Sequence, residues 1–324
     1  MFGKKDKTNV LPGDGSSNYS DSQILRDLAK AYSRELKWRR IFKFALLGLV
    51  ILYVISAMRI AASVGGAVSS SAPHVALVEL SGPIGISIGV SADQINQSLR
   101  KAFAAKQSKA VVLRVDSPGG TPVQSAEINA EMTRLRAEYP KKPLLVVINE
   151  LCASGGYYVA VAADSIYANP ASIVGSIGVR MDGFGFVGAM EKLGVERRTL
   201  TAGTNKALLD PFMPSNPGQV THLQSMLDDV HQQFIDAVKQ GRGDSLSETA
   251  DLFTGLVWSG SQAKELGLID DFGSLDSVAR DVVGVDAIVD YSFQPGFLEE
   301  FSRSFGVSVG AGIAQKMGLD FGLR

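Results

Sequence analysis

Apolar runs and segments of helical periodicity alternate through the middle of the chain. Residues 75–80, 110–115 and 144–148 are predominantly apolar runs, which are typical of strands buried on both faces of a sheet. Between them, apolar residues recur at steps of three and four over 91–106 and 125–139, and this spacing predicts helices. The alternation predicts an α/β fold in layers, with mostly parallel strands.

The C-terminal half of the chain predicts shorter elements of the same kinds. These are a strand over 164–168 and helices over 159–163, 216–240, 261–266 and 275–283. Gly241 is interpreted as the end of the longest of these helices. One domain is therefore predicted over 75–290, followed by a tail over 291–324 in which phenylalanines recur at every fourth position from Phe293 to Phe305.

The N-terminal residues follow a different pattern, which predicts a cytoplasmic leader over 1–40. Residues 1–20 are polar and lack periodic apolar positions, so they predict disorder. Residues 21–40 combine a helical apolar stripe with lysines and arginines, which is typical of a basic amphipathic helix on an anionic membrane surface. An ordinary solvated helix is the alternative interpretation of 21–40.

A charge-poor segment follows this leader. Residues 41–60 approach the length of about 20 apolar residues that spans a bilayer, so they predict one transmembrane helix. A cleaved signal peptide is the alternative, although such a long polar N-terminal region is unusual for one. Basic residues are concentrated on the N-terminal side of the segment. The positive-inside rule then predicts a single-pass protein of the inner (cytoplasmic) membrane, with a cytoplasmic N-terminus, a linker over 61–74 and the domain on the exported side.

Composition limits the classes of partner. The chain has 324 residues, 45% of them hydrophobic, which is enough for a sizeable core. Its formal net charge of −1 argues against a nucleic-acid partner. The only cysteine, Cys152, has no partner for a disulfide within the chain and is interpreted as a small buried apolar residue.

Ser154 lies where the predicted strand over 144–148 gives way to the predicted helix over 159–163. Its neighbours Gly155 and Gly156 are small enough for another backbone to approach closely. The free N–H groups at the start of a helix suit an oxyanion, so Ser154 is a candidate nucleophile. A capping serine in a tight strand–helix joint is an equally good interpretation of this stretch alone.

Few residues could act as a base for this serine. The histidines are His74, His222 and His231, and none lies beside a Gly-rich turn in the sequence, so a Ser-His-Asp triad and a zinc site both have poor candidates. Gly-rich phosphate and dinucleotide motifs are missing as well, and we predict neither a metal nor a cofactor. A lysine can replace histidine if burial lowers its pKa from about 10.4 towards about 7–8. Lys206, among small and apolar residues, is the candidate, and an exposed loop lysine is the alternative.

Two glycine-rich loops contain candidates for stabilising charge. Gly119 and Gly120 follow one predicted strand much as Gly155 follows another. The backbone N–H of Gly119 or Gly120, together with that of Gly155, could form an oxyanion hole, and a plain glycine turn is the alternative. Ser176 lies in a third loop of small apolar residues and could orient a lysine amine towards Ser154.

The combination of these motifs resembles the signal peptide peptidase A family, in its short form with one catalytic domain per chain. The resemblance covers about residues 75–285 and includes the stretch from Gly241 to Asp270. Its ordered motifs are Asp116-Ser117-Pro118-Gly119-Gly120, Ala153-Ser154-Gly155-Gly156-Tyr157-Tyr158, Gly175-Ser176-Ile177-Gly178-Val179 and Lys206 ahead of Asp210-Pro211-Phe212.

The resemblance implies a ClpP/crotonase-like fold and a serine peptidase with a Ser/Lys dyad. Carried over by motif, Ser154 is the nucleophile, Lys206 is the general base, Ser176 orients the amine, and the glycine pair at 119–120 supplies the oxyanion hole. The family also implies a homo-oligomer, in which Lys206 acts on its own chain or on a neighbour. Hydrophobic peptides, such as cleaved signal peptides, are the substrates that it implies.

Two other functions stay open at this point. One is a non-catalytic, membrane-anchored scaffold or adaptor on the same fold. The other is an acyl-CoA hydratase or isomerase, which usually needs carboxylates beside the oxyanion glycines, and for which Glu127 and Glu150 are available. Covalent labelling by a serine-reactive probe separates a peptidase from both.

Overall fold

The computed structural model describes residues 21–64, 72–86, 89–249 and 251–294. The chain divides into two compact units, one of residues 1–66 with 297–324 and one of residues 67–296. The predictions for the leader over 1–20, for residues 65–71 of the linker and for the tail beyond residue 294 lie outside the described residues.

The described part of the first unit is one helix. α1 (Asp21–Val64) is 44 residues long and covers both the predicted amphipathic helix and the segment over 41–60. The large apolar side chains that are described in it, such as Phe42, Leu49 and Tyr53, are exposed. Among the described residues, no helix has both the length and the apolar character needed to cross a membrane. The helical backbone is confirmed, whereas a transmembrane span over 41–60 is not shown.

The second unit contains strands with helices between them. Its described strands are β1 (His74–Ser81), β2 (Ser108–Ser117), β3 (Leu144–Ala153), β4 (Ser165–Ala168), β5 (Ile173–Gly175), β6 (Val257–Ser259), β7 (Asp271–Phe272) and β8 (Ile288–Asp290). Its described helices are α2 (Ala92–Ala104), α3 (Pro122–Glu138), α4 (Gly155–Ala160), α5 (Val187–Leu193), α6 (Pro217–Arg242), α7 (Gly260–Glu265) and α8 (Leu275–Ser277), with a 3₁₀ turn at Gly243–Ser245 and a π-helical turn at Val278–Val283.

The strands form one sheet in the order β6–β5–β3–β2–β1–β8, and β4 links β3 to β7. Only the β5–β6 pair is antiparallel among the described strands, so the predicted α/β fold with mostly parallel strands is confirmed. β3 pairs with β4 over residues 145–148 and then with β5 over 151–153. Because of this change of partner, the carboxyl end of β3 lies beside both β2 and β5.

The central strands are apolar because the sheet is covered on both faces. Side chains such as Val78 and Leu113 on one face pack against α2 and α3 through Leu99 and Met132. Side chains on the other face form a smaller cluster with the π-helical turn near the C-terminal end of the unit. Since successive strand residues point to opposite faces, burial on both faces requires an apolar residue at nearly every position.

Two predictions about element boundaries are wrong. Gly241 does not end α6, which continues to Arg242. A side chain at Gly241 would lie 2.0 Å from Val161 O, so this glycine permits close approach of α6 to the residues after α4. The helix predicted at 159–163 begins earlier, at Gly155, directly after Ser154.

Candidate active site

Ser154 occupies a strained turn between β3 and α4. Its φ of 51° and ψ of −123° are uncommon for a residue other than glycine, and such strain typically costs about 1–3 kcal/mol. The backbone holds this conformation, since Ser154 N donates to Gly175 O over 2.8 Å and Ser154 O accepts from Tyr158 N over 2.9 Å. The side chain makes no capping hydrogen bond to α4. Ser154 is half-buried, and its hydroxyl has no hydrogen-bond partner among the described residues, so it is free to accept a base and a substrate.

The two glycine motifs lie against each other because β2 and β3 are neighbouring parallel strands. Gly119 has a φ of 99°, and a side chain there would lie 2.7 Å from both Ser154 Cβ and Gly155 N. A side chain at Gly155 would in turn lie 3.1 Å from Gly120 N. These distances leave no room for any residue but glycine at 119, and they place the N–H groups of both loops beside Ser154.

The hydrogen bonds of these loops distinguish which N–H groups are free. Gly119 N donates to Ser117 Oγ over 3.1 Å. Within the part of the chain that the structure describes, the N–H groups of Gly120 and Gly155 have no hydrogen-bond partner. The pair that is available to an oxyanion is therefore Gly120 with Gly155, rather than Gly119.

Ser176 reaches the same site from β5. It follows Gly175, whose carbonyl accepts from Ser154 N, and it has a positive φ of 52°. Its own N–H donates to Leu256 O over 2.7 Å. The structure thus brings Ser176 and Ser154 to one cleft.

This cleft has a volume of about 1200 Å³. One wall is predominantly apolar and comes from α3, α4 and α6, with the lining side chains Val123, Ala126, Ala130, Tyr158, Val230 and Phe234. The rings of Tyr158 and Phe234 lie 5.1 Å apart. Burial raises the pKa of Tyr158, so its hydroxyl stays protonated at neutral pH. An apolar wall beside the nucleophile suits an extended peptide with apolar side chains.

Lys206 does not lie in this cleft. It is exposed in a turn in which its N–H donates to Gly203 O over 3.1 Å. Of the described residues that line the cleft, none is a lysine or a histidine. A single chain therefore brings together Ser154, Ser176 and the glycine N–H groups, but not the predicted base.

The segment around Lys206, residues 180–216, is called the lysine arm here. α5, its one described helix, has no buried residue. Leu200 is 102% exposed, Phe184 81% and Leu193 77%. So many exposed apolar side chains in one segment are typical of a contact surface.

Local contacts hold the lysine arm in shape. Arg197 pairs with Asp210 over 3.1 Å and lies over the ring of Phe212. Phe212 stacks on Phe186, with ring centroids 5.5 Å apart, and Phe186 N donates to Pro211 O. The backbone N–H of Phe212, together with the Arg197 guanidinium, lowers the pKa of Asp210. These contacts join residues 186 and 197 to residues 210–212, and Lys206 lies between the joined segments in the sequence.

The remaining candidate residues have other surroundings. His74 is buried at the start of β1, where its ring nitrogens lie 2.9 Å from Ala72 O and 3.0 Å from the Tyr291 hydroxyl. Among the described residues, no group of histidine, cysteine, aspartate and glutamate side chains could hold a metal ion. Glu127 lines the cleft, whereas Glu150 lines a different cavity of about 660 Å³. The two carboxylates are therefore not paired beside the oxyanion glycines, which disfavours a hydratase.

Sequence reasoning missed three polar residues at this site. Ser117 and Ser125 are both fully buried, and Ser125 Oγ lies so close to Gly155 that a side chain there would meet it at 2.4 Å. His231 Nε2 lies 3.2 Å from Ile177 O, in the loop of Ser176. Ser117 could have been found as part of a motif, whereas the His231 contact joins residues 54 positions apart and leaves no signal in the sequence.

Comparison with known proteins supports a peptidase. A family model described as peptidase family S49 matches residues 136–284. A candidate protease of Methanocaldococcus jannaschii is 36% identical over 217 residues, which are 65% of this chain and 67% of that protein. A candidate signal peptide peptidase SppA of Enterococcus faecium is 33% identical over 195 residues, 59% of this chain and 56% of that protein.

A further relative has a different name. The Na(+)/H(+) antiporter NhaA of Brucella melitensis biotype 1 is 47% identical over 186 residues, which are 57% of this chain. The chain spans only about a quarter of that protein, 25% of its length. The name therefore describes a protein of which three quarters lie outside the match.

Proposed function

The chain belongs to peptidase family S49, and from this premise we propose that it is a serine endopeptidase with Ser154 as its nucleophile. One observation carries the proposal. The Ser154 hydroxyl lies in a cleft with an apolar wall, near the N–H groups of Gly120 and Gly155, and none of the three has a hydrogen-bond partner among the described residues. A nucleophile next to paired donors in a cleft is the arrangement that acyl transfer requires.

The proposed reaction has two steps. A base takes the proton of Ser154 Oγ, which attacks the carbonyl carbon of the substrate, while the N–H groups of Gly120 and Gly155 hold the oxyanion. The C–N bond breaks as the base returns the proton to the leaving amine, and an acyl-enzyme remains. Water then loses a proton to the same base and attacks the ester carbonyl. The acid product leaves, and Ser154 Oγ recovers its proton.

We assign the base to Lys206 from a second copy of the chain. The titratable side chains that line the cleft are Glu127, Tyr158 and Arg180. A carboxylate is a weak base and a guanidinium has no acceptor for a proton, whereas burial raises the pKa of Tyr158 and keeps its hydroxyl protonated. Lys206 lies among exposed apolar residues of the lysine arm, and such residues are typical of a surface that contacts another copy of the chain. Burial in such a contact favours the neutral amine that a general base needs, and Ser176 would orient that amine.

Co-expression of two inactive variants tests both parts of this assignment. Ser154→Ala and Lys206→Ala should each abolish hydrolysis of a small-apolar fluorogenic peptide, while Lys109→Ala, an exposed lysine of β2, should leave it unchanged. If Lys206 acts on a neighbour, oligomers assembled from both inactive chains contain some complete sites and regain activity.

Three outcomes contradict parts of the proposal. Hydrolysis retained by purified Ser154→Ala would overturn the nucleophile. Full activity in Lys206→Ala would overturn the base. Two inactive variants that show no recovery in verified mixed oligomers would place the lysine in the same chain as its serine.

We also propose that the protein acts at the inner (cytoplasmic) membrane, with the N-terminus cytoplasmic, the domain on the exported side and hydrophobic peptides such as cleaved signal peptides as substrates. Exposed apolar side chains of α1 and the basic residues of its first half support a membrane contact. Because Cys152 is buried, cysteines introduced in Ser33→Cys and Lys106→Cys can be labelled selectively. A maleimide that cannot cross membranes should label Lys106→Cys when it reaches the outer side of an intact cytoplasmic membrane. It should label Ser33→Cys only after that membrane has been broken open. The reverse pattern would overturn the orientation.

A scaffold without catalysis is the second candidate, and it is favoured by the observation that none of the described residues lining the cleft of a single chain is a lysine or a histidine. A fluorophosphonate probe separates the two. Labelling of Ser154 supports the peptidase, and a folded, oligomeric protein without labelling supports the scaffold.

A further inference from the structure

The buried hydroxyl of Ser117 joins the glycine loop to the end of β1. Ser117 is 0% exposed at the last position of β2. Its Oγ donates to Gly82 O over 2.7 Å and accepts from Gly119 N over 3.1 Å. One side chain thus holds two backbone groups that belong to different strand ends.

The peptide unit between Gly119 and Gly120 is held by a second hydrogen bond, which comes from Ile84. Ile84 N donates to Gly119 O over 2.8 Å. In a trans peptide the C=O and the N–H point in opposite directions, so this bond directs Gly120 N–H away from Ile84. Gly120 N–H has no partner among the described residues, and Gly120 lines the cleft. The direction of the free donor therefore depends on the orientation of the Gly119 backbone.

Ser117 also contacts the second loop of the site. A side chain at Gly156 would lie 3.2 Å from Ser117 O and 3.3 Å from Ser117 Cβ. Gly156 is the second residue of α4, next to Gly155, whose N–H is the other free donor. Ser117 is thus packed between the two backbone segments that carry the donors.

We propose that Ser117 is a positioning residue, whose hydroxyl orients the Gly119 backbone so that Gly120 N–H points at the carbonyl oxygen of the substrate. This assignment rests on the proposed peptidase function. Without the hydroxyl, Gly82 O and Gly119 N lose a buried partner, and the loop is free to rotate towards new ones. The donor contact strengthens as the carbonyl oxygen becomes an oxyanion, so its loss should lower kcat more than it raises KM.

The test compares Ser117→Ala with a matched control, Ser172→Ala. Ser172 is 2% exposed, its Oγ donates to Asn149 O over 2.5 Å and accepts from Asn169 N over 3.1 Å, and it lines the other cavity. Both variants lose a buried serine that bridges a carbonyl and an N–H, but only Ser117 touches the glycine loop. The full-length protein is assayed for kcat, KM, thermal midpoint and inhibition by a peptide aldehyde, whose adduct with Ser154 places an oxygen in the oxyanion hole.

Both variants should show a lower thermal midpoint. Only Ser117→Ala should lose kcat, by about 10–100-fold, since full removal of one donor costs about 10²–10³-fold. Its aldehyde affinity should fall by a similar factor, with KM changed by less than about 3-fold. Equal kcat and aldehyde affinity in Ser117→Ala and Ser172→Ala would overturn the proposal.

A second variant covers the case in which Ser117→Ala does not fold. Ser117→Cys retains a weaker donor and acceptor of similar size and should show a kcat between those of Ser117→Ala and the wild type. An unchanged kcat in folded Ser117→Cys, with unchanged aldehyde affinity, would also contradict the proposal. Wild-type protein that neither hydrolyses peptides nor reacts with a fluorophosphonate would overturn the proposed function itself, and the role of Ser117 with it.

Discussion

The turn that carries Ser154 and the arm that carries Lys206 differ in how their shape is determined. Around Ser154, Cys152 and Tyr157 are fully buried, and the Tyr157 hydroxyl donates to Leu268 O over 2.7 Å. In the lysine arm, α5 has no buried residue, and Leu200 is fully exposed. The core therefore determines the position of Ser154, whereas the described contacts that shape the lysine arm are local ones.

This difference bears on which residue of the proposed dyad would depend on the proposed assembly. A strained φ at Ser154 persists because surrounding packing holds it. The ion pair of Arg197 with Asp210 preserves the form of the arm, in which α5 has no buried residue. Exposed apolar side chains such as Phe184 and Leu193 stabilise a structure only when another surface covers them and removes them from water. The proposed nucleophile, Ser154, is held in place within one chain, and the proposed base, Lys206, is expected to become buried on contact with a second copy.

The largest expected effect comes from filling the space at the nucleophile. Gly119→Ala would place a methyl group 2.7 Å from Ser154 Cβ and Gly155 N, at a φ of 99° that alanine rarely adopts. We expect kcat/KM for an apolar peptide to fall by about 10²–10³-fold, as when an oxyanion donor is lost. Gly48→Ala, in α1 with nothing within 4 Å, is the control and should hydrolyse normally. Wild-type activity in Gly119→Ala would show that the glycine loops are not held as closely as described.

A charge in the lysine arm should act through assembly. Leu200→Asp changes a fully exposed side chain, so the fold of a single chain should not be affected. If the arm binds a second copy, an unpaired charge there should reduce the oligomer, seen by light scattering, and lower hydrolysis by about 10-fold or more. Val282→Asp, exposed outside the arm, should change neither property. An unchanged oligomer and rate in Leu200→Asp would remove this surface from the proposed contact.

The smallest expected effect is on stability alone. Glu131 joins α3 to α2, at 2.8 Å from Arg134 and 2.6 Å from Arg100. Hydrogen bonds from Arg134, and then from Arg100, lower the pKa of Glu131 from 4.5 to about 2. Glu131→Gln should reduce the free energy of unfolding by about 1–3 kcal/mol at neutral pH, with kcat unchanged.

The pH dependence of this effect has a defined sign. A carboxylate with a lowered pKa stabilises the fold above its unfolded value, and the contribution is lost as pH falls from about 4.5 to about 2. Urea unfolding of Glu131→Gln beside wild type should show a difference that shrinks over that range. A difference that stays constant with pH would contradict this account.

The long strands of the sheet and the four-residue β4 are predictable from sequence, and the strands of two or three residues are not. β1, β2 and β3 are buried on both faces, so their apolar runs are unmistakable. β5, β6 and β8 have three residues each, too few to show a period of two. The change of partner along β3 leaves no pattern either, although it is what places Ser176 beside Ser154.

The serines and glycines of the candidate site could be named from sequence motifs. Ser154, Ser176 and the glycine pair at 119–120 all line one cleft. Which glycine N–H is free was not predictable, because that depends on a hydrogen bond from Gly119 N to Ser117 Oγ. The role of Lys206 is untested, since a single chain leaves it exposed and away from the cleft.

The sequence by itself determined the α/β class, the apolar strands and the loops that carry the serines and glycines, since these follow from local periodicity and from the small size of glycine. Only the tertiary structure decided which strands are neighbours, which N–H groups are left unpartnered and which side chains are covered. Pairing and burial join residues that are distant along the chain, so they depend on the packing of the whole domain. The separation of Lys206 from the cleft is likewise seen only in the tertiary structure, in which local contacts rather than the core hold the lysine arm.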